Sequence, residues 1–485
     1  MEFRIDVPAP GSRDRTGALH RQIRAAIIDG RLAAGVRLPT TRELALTLGV
    51  SRNTVVAAYE HLASEGYLLS RQRAGTFVAG TTPLRRQAPA ASAAPSRAAR
   101  PAPASLPDPW RRIVPWPGEA MAPGPRFDFR VGLPDHSQLP WDVWRRLGVR
   151  AQRDFARMPR AYTDPAGEPL LRAAIAAHVS ASRAVACSAD DVVLTSGAQH
   201  AFALLAEMLV TPGNTAVAVE DPGYGPLYAA LAFRGAQLVR VPLDGEGLRV
   251  DLLPESAKVV CVTPSHQFPV GTAMSLNRRS QLLAFARQHR AVIVEDDYDG
   301  EFRFGGRPLD ALHSLDDRGL VFYVGTFSKV LFPALRVGFI VAPDWARERL
   351  AAALHATCGA PPLLTQLTLA AFIREGHLGR HVRRMRRSYA ARRDALLQAL
   401  QRHAGGRLTP LPSVAGLHLS ALLAPQFEAD AVVQAAAAAG VAVEALDRSG
   451  RRRARYNGLT FGLGLVATDQ VAAGVRALSR VLDGA

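Results

Sequence analysis

Lysine is nearly missing from this chain. Only Lys258 and Lys329 occur among its 59 basic residues, and arginine fills almost every other basic position. Chemistry that needs a primary side-chain amine is therefore confined to two places, because arginine stays protonated and cannot serve as an amine nucleophile. Cysteine is scarce too. Cys187, Cys261 and Cys358 lie far apart with no CxxC pair, which excludes a disulfide framework and a cysteine-built zinc site and fits a reducing compartment. No uninterrupted apolar run approaches a bilayer crossing, and the opening MEFRIDVPAPGSRDR lacks the apolar core of a signal peptide. A cytoplasmic location is expected, with no membrane partner. No spacing of histidine, cysteine and carboxylates calls for a metal.

What is present is an ordinary globular composition, 48% hydrophobic and 21% charged over 485 residues, too long for one core and fit for two or three domains. The net charge of +17 is unevenly spread, with fifteen arginines against seven acids in residues 1–100. Three zones separate by composition. Residues 12–80 read as helical. Residues 81–125 are rich in Pro, Ala and Arg, cannot bury a core, and read as a linker. Residues 126–485 alternate short β-branched runs with helical segments.

The first zone has the pattern helix, helix, turn, helix. ALHRQIRAAIIDG forms a helix stopped at Gly30. Thr40 with Glu43 makes a capping box that opens a short helix broken at Gly49. Ser51 caps a third helix, SRNTVVAAYEHLASEG, with Val55, Val56, Tyr59 and Leu62 as its buried stripe and Arg52, Asn53 and Thr54 exposed in its first turn. A recognition helix offers its N-terminal residues to base edges, and Arg and Asn are the types that bond G and A bidentately. The segment YLLSRQRAGTFVAG reads as a hairpin turning at Arg73-Ala74-Gly75, a wing beside the groove. The candidate DNA contacts are Arg42, Ser51, Arg52, Asn53, Thr54, Gly75 and Thr76. The run from GRLAAG to GTFVA resembles the GntR-type winged helix-turn-helix end to end.

In the third zone the runs VVLTSG, AVAVED, VVCVTPS, AVIVEDD, VFYVGTFS and RVGFIVA are continuously apolar, with helices between most of them. That predicts an α/β fold with a mostly parallel sheet covered on both faces. Ligands in such sheets collect beyond the carboxyl ends of the strands, which gathers Ser196, Asp221, Ser265, Asp296 and Lys329 around one crevice. A lysine at a strand end in a low-dielectric crevice is suited to Schiff-base chemistry. Pyridoxal phosphate also needs a carboxylate on its ring nitrogen, a stacked aromatic ring, a hydroxyl on its phenolic oxygen and a phosphate cradle. Asp296, Tyr224 and Tyr298 supply the right groups. Ser196-Gly197-Ala198-Gln199 opens a helix whose N-terminus can bind phosphate, and Thr326, Ser328 and Arg336 flank Lys329.

TPSHQFPVGTAMSLNRR, VEDDYDGEFRFGGRPL, GTFSKVLFPALRVGF and REGHLGRHVRRMRRSYAARR resemble the MocR/GabR family of bacterial regulators, which join a GntR-type DNA-binding domain to a fold-type-I aminotransferase-like domain. The resemblance implies a mostly parallel sheet with a smaller α+β C-terminal subdomain. It makes Lys329 the Schiff-base lysine, Asp296 the ring-nitrogen partner, Tyr298 the phenolic-oxygen contact and Tyr224 the stacking ring. It puts Ala198, Gln199, Thr326, Ser328 and Arg336 on the phosphate side. Tyr162 matches the tyrosine that fold-type-I dimers send to the neighbour's phosphate, so a homodimer is implied. The implied partners are operator DNA and a small amine or amino acid, or pyridoxal phosphate itself, as effector. A working aminotransferase carrying a DNA-binding domain is the rival reading, and a DNA-binding scaffold with an empty domain is the third.

Two departures from the aminotransferase pattern stand out. Phe268 occupies the place of the usual Asn before the Pro-x-Gly turn, and Leu459 or Thr460 the place of the carboxylate-clamping arginine, for which Arg448 or Arg455 could substitute. Pro226 stands where GABA-responsive members carry arginine. These features point away from GABA and from full transaminase turnover. The arginine-rich helix HVRRMRRSYAARRDALLQAL has two readings, a solvated or subunit-facing helix side, which is favoured, and a second DNA surface.

Overall fold

The computed structural model describes residues 5–8, 14–71, 74–80, 124–158, 163–304, 309–447 and 456–484. The chain divides into two compact units, Met1–Ala104 and Ser105–Ala485.

In the first unit, α1 (Arg15–Ile28), α2 (Thr41–Leu48) and α3 (Arg52–Ser64) pack around a small core of Leu19, Ile23, Val55, Ala58 and Leu62. Their starts follow local chemistry. Thr40 Oγ1 accepts from Glu43 N at 3.2 Å while Glu43 returns a carboxylate to Thr40 N at 2.8 Å. Ser51 Oγ accepts from Thr54 N at 3.1 Å. The buried stripe of α3 uses Ala58 in place of the expected Val56, which is only half-buried: the face turned to α1 falls at the i, i+3, i+4, i+7 positions that begin at Val55. Strands β1 (Leu68–Arg71) and β2 (Gly75–Val78) form the hairpin, Arg71 opposite Gly75.

The second unit is built on an eight-stranded sheet. In chain order, β3 (Phe127–Asp128) lies outside it, and its strands are β4 (Val192–Thr195), β5 (Ala216–Asp221), β6 (Gln237–Asp244), β7 (Gly247–Leu248), β8 (Ala257–Val262), β9 (Val292–Asp297), β10 (Val321–Thr326) and β11 (Gly338–Val341). Their spatial order is β4-β11-β10-β9-β8-β5-β6-β7. The pairs from β6 through β10 are parallel, whereas β11 runs antiparallel to both β10 and β4. β4, β5 and β10 are buried at every position, as continuous apolar runs in a two-sided sheet should be.

Helices α4 (Trp141–Phe155), α5 (Pro169–Arg183), α6 (Ala198–Leu209), α7 (Gly225–Phe233), α8 (Leu276–His289), α9 (Asp344–Thr357) and α10 (Leu363–Arg374) belong to the body around this sheet. The long α11 (His377–Ala404) follows. It leads to a four-stranded sheet of β12 (Leu408–Pro410), β13 (His418–Leu423), β15 (Glu444–Ala445) and β16 (Gly458–Gly462), in the order β12-β13-β16-β15. α12 (Ala429–Ala438), β14 (Val441–Ala442), which pairs with β3, and α13 (Thr468–Asp483) complete this smaller α+β part.

Candidate functional site

Reversal of β11 builds the crevice. Gly338, at its start, pairs with Thr326 at the end of β10 and with Thr195 at the end of β4. Arg336, two residues before Gly338, is thereby brought to the carboxyl edge beside the Ser196-Gly197 turn. Gly197 has φ +82, and a Cβ on it would lie 3.3 Å from Arg336 Nη1, so glycine leaves room for the guanidinium at the N-terminus of α6. Arg336 itself has φ 50. The other two described non-glycine residues with positive φ, Ala184 and Arg290, are helix C-caps. Arg336 likewise caps a helical turn, the short 3₁₀ segment Pro333–Leu335, and backbone in this region is found at functional sites.

Asp296 sits on β9 with its α-carbon opposite Val324 of β10. It is 5% exposed, and its Oδ1 is buried with no hydrogen-bond partner among the described residues. Burial, followed by the neighbouring Asp297, pushes its carboxyl well above the usual range, and Lys329 pulls it down. Lys329 donates from Nζ to the carbonyl of Gly132 at 2.8 Å. Burial lowers its pKa, against the opposing pull of Asp296, Asp299 and Glu444. A buried carboxylate oxygen without a partner is costly, and here it faces the same crevice as a desolvated lysine.

The other expected residues fall around this pair. Tyr224 precedes α7. Its hydroxyl is pushed up to about 12 by burial and by Asp296, and Arg336 pulls it down. Its ring meets Phe268 edge to face at 5.7 Å, and Phe268 meets Tyr298 at 6.1 Å. The phenol of Tyr298 donates to the backbone oxygen of His266 at 3.0 Å. Thr326 Oγ1 accepts from Ser328 N at 3.2 Å. Gln199 Nε2 is tied to Pro226 O at 2.9 Å, and its Oε1 is buried without a partner. Ala198 is the first residue of α6. Ser265 is spent on a buried contact with Arg183, which pairs with Asp297 at 2.6 Å, so it serves the scaffold rather than the crevice. Tyr162, Arg448 and Arg455 lie outside the described residues. Thr460 faces Ser420 at 3.1 Å inside the small sheet, and no arginine is on β16.

Several residues that motif reading passed over stand at the site. Gly132 holds the lysine. His266 Nδ1 is 3.1 Å from both Asp299 oxygens, Leu417 N donates to Asp299 at 3.0 Å, and the His266 and His418 rings lie 4.5 Å apart. The ligand-type atoms of His266, Asp299 and His418 fall within 4.8 Å of one another. No motif could have announced this cluster, because it joins the main sheet to β13. His418 Nε2 at 3.1 Å and Ser420 Oγ at 2.7 Å both donate to Pro269 O, clamping the turn that carries Phe268.

In the first unit, Arg42, Ser51, Arg52 and Asn53 are exposed, whereas Thr54, Gly75 and Thr76 are half-buried. Thr54 is less open than expected because its hydroxyl turns back to Ser51 Oγ at 2.8 Å. Tyr59 OH donates to Pro39 O at 3.0 Å, tying α3 to the entry of α2. Leu38 N donates to Thr76 O at 2.9 Å, tying the hairpin to the helices.

The two units thus define a winged helix-turn-helix regulator carrying an aminotransferase-fold unit. Comparison with known proteins agrees. Residues 16–78 match the bacterial regulatory proteins of the gntR family, and residues 129–453 match aminotransferase class I and II. The chain is 38% identical over 441 residues to the probable rhizopine catabolism regulatory protein MocR of Rhizobium meliloti, covering 90% of this chain and 88% of that one. It is 33% identical to the pyridoxine biosynthesis transcriptional regulator PdxR of Corynebacterium glutamicum, covering 92% and 91%. Among solved structures, Pyrococcus horikoshii kynurenine aminotransferase superposes with a TM-score of 0.67 at 28% identity, over 73% of this chain and 90% of that one. The chain belongs to the MocR/GabR family of transcriptional regulators. No helix among the described residues is long and apolar enough to cross a membrane.

Proposed function

We propose that this regulator binds operator DNA through the first turn of α3 and holds pyridoxal 5'-phosphate in the crevice at Lys329. Its effector would be a small amine or amino acid, or the cofactor itself. The observation that carries the reading is the buried, partnerless Oδ1 of Asp296 beside a desolvated lysine. A protonated ring nitrogen would satisfy that oxygen, and Asp296 would hold its proton. Arg336, the N-terminus of α6, Thr326 and Ser328 offer donors for a phosphate, Tyr224 a ring for stacking and Tyr298 a phenol. Bound there, pyridoxal phosphate would supply an aldehyde exchangeable between amines and a ring that accepts electron density. Lys329, its amine pushed toward the neutral form by burial, would hold that aldehyde and release it to an incoming amine. The relatives' names support regulation: one concerns rhizopine catabolism and another pyridoxine biosynthesis. Homodimerisation, with Tyr162 completing the partner's site, belongs to the same proposal.

The test is the visible absorption of the purified, cofactor-loaded protein, together with borohydride trapping at a mapped lysine. Lys329→Ala should lose both and stay folded, since Lys258 donates to His289 O elsewhere on the surface. A normal trapped linkage in that variant would overturn the assignment. The rival reading, a working aminotransferase, predicts multiple turnovers with an amino acid and a keto acid, whereas the regulator should stop at exchange.

A further inference from the structure

We propose that the face formed by the first half of α11 and the adjoining side of α4 is a second polyanion surface, which lies against the phosphate backbone of duplex DNA. The proposal rests on the DNA-binding reading above. The arginines of α11 divide in two. Arg386 donates to Glu301 O at 2.7 Å, and Arg392 collects Asp135, Leu463 O and Gly464 O at 2.6, 3.0 and 2.7 Å. Arg384 bonds Gln138 O, and Arg393 bonds Ser413 O and Asp394. These four tie the helix to the fold.

Arg380, Arg383 and Arg387 are exposed and have no carboxylate partner among the described residues. Among the described residues Arg380 bonds Glu375 O and His377. At 100° per residue they fall within an arc of about 60°, and they span about 10 Å of helix axis. One strand of a duplex presents about three phosphates over that length.

A second row lies alongside. Arg150 of α4 pairs with Glu375, just before α11 begins, so that side of α4 adjoins the start of α11. Arg146 and Arg153 flank Arg150 at i−4 and i+3 and are exposed, with no carboxylate partner among the described residues. Acids are few here. Glu375 is taken by Arg150, Asp142 at i−4 from Arg146 is paired with Arg145, Asp154 lies at the edge of that side of α4, and Asp394 pairs with Arg393. An arginine row held in place by a rigid helix and left without counter-charges is a backbone-reading surface, carrying affinity but no base specificity.

The experiment measures binding of the full-length protein to a random-sequence 60-bp duplex across a series of salt concentrations. Each lost phosphate contact should flatten the slope of log affinity against log salt by about 0.9, so Arg383→Ala/Arg387→Ala should flatten it by about 1.8. Arg383→Lys/Arg387→Lys should keep the wild-type slope, because charge is what the backbone reads. Arg146→Ala/Arg153→Ala should add a further flattening. Melting temperature and visible absorption serve as folding controls, and these surface changes should leave both alone. A slope in Arg383→Ala/Arg387→Ala equal to wild type would overturn the proposal while leaving the DNA-binding reading standing. A wild-type protein that binds no duplex would overturn both.

Discussion

The carbonyl of Gly132 accepts a hydrogen bond from Nζ of Lys329 at 2.8 Å, across 197 residues of chain. Gly132 has φ +76, and a Cβ there would come within 2.7 Å of the lysine nitrogen. Position 132 therefore needs glycine twice, for its backbone and for the amine that lies against it. Gly132→Ala should slow capture of pyridoxal phosphate and weaken it by about tenfold, which corresponds to about 1.4 kcal/mol, without loss of the fold. Stopped-flow absorbance with added cofactor measures this. Capture at the wild-type rate would mean that the lysine is not positioned from this side.

Base reading by α3 is tested at Arg52. If its guanidinium grips a base edge bidentately, Arg52→Ala should cost about 1–3 kcal/mol on operator DNA and relax sequence preference. Equal losses on operator and random duplexes, measured by fluorescence anisotropy at fixed salt, would demote it to a phosphate contact.

Local chemistry made much of this legible in the sequence. The Thr40–Glu43 box and the Ser51 cap sit within four residues of what they bond, so the starts of α2 and α3 could be read directly. Continuous apolar runs identified the strands, and the scarcity of lysine singled out Lys329. Long-range geometry was not legible. An apolar run carries no direction, so the reversal of β11, which delivers Arg336 to the crevice, could not be seen. The His266–Asp299–His418 cluster joins the loops that follow β8 and β9 to the start of β13. The basic helix α11 was legible as a solvated or subunit-facing side or a second DNA surface, but not residue by residue: Arg392 turns inward because its guanidinium can collect two carbonyls and a carboxylate at once. Ala58 replaced Val56 in the stripe of α3 because packing direction, not hydrophobicity alone, decides which side is buried.

Buried carboxyls predict a pH dependence of stability. Glu220 is sealed in the core, its Oε2 accepting from Thr263 N, Thr263 Oγ1 and Gln267 Nε2 at 3.2, 2.6 and 3.2 Å. Burial pushes it up from an ordinary 4.5 to about 7. Because the folded value is the higher one, its contribution is complete below about pH 4.5 and is lost as pH rises through about 7, a change of about 3 kcal/mol. Glu295 is likewise raised to about 7 by burial. Glu220→Gln, whose amide oxygen can keep all three donors, should remove its share of the fall in stability between pH 5 and 8. Denaturant unfolding at the two pH values measures this, and an undiminished fall in the variant would contradict it.

Effector and DNA should be thermodynamically coupled, and the coupling should pass through the Pro269 turn. An incoming amine that took the place of Lys329 would free the lysine side chain and change the packing in the crevice, where the ring of Phe268 touches Tyr224, Tyr298 and His418. The next residue, Pro269, is held by His418 and Ser420 of β13, so movement of the turn is movement of the smaller sheet. A ligand shifts DNA affinity only by its differential affinity for two arrangements, typically about 1–3 kcal/mol, and operator DNA must change effector affinity by the same factor. Titrating amines by absorbance with and without operator, and operator with and without amine, gives both factors. They should agree, and Lys329→Ala should abolish both. Ser420→Ala should bind cofactor and operator normally but show a reduced coupling factor, since it removes one of the two clamps on Pro269. Unequal factors would defeat the linkage, an amine response surviving in Lys329→Ala would defeat covalent exchange, and full coupling in Ser420→Ala would defeat the route.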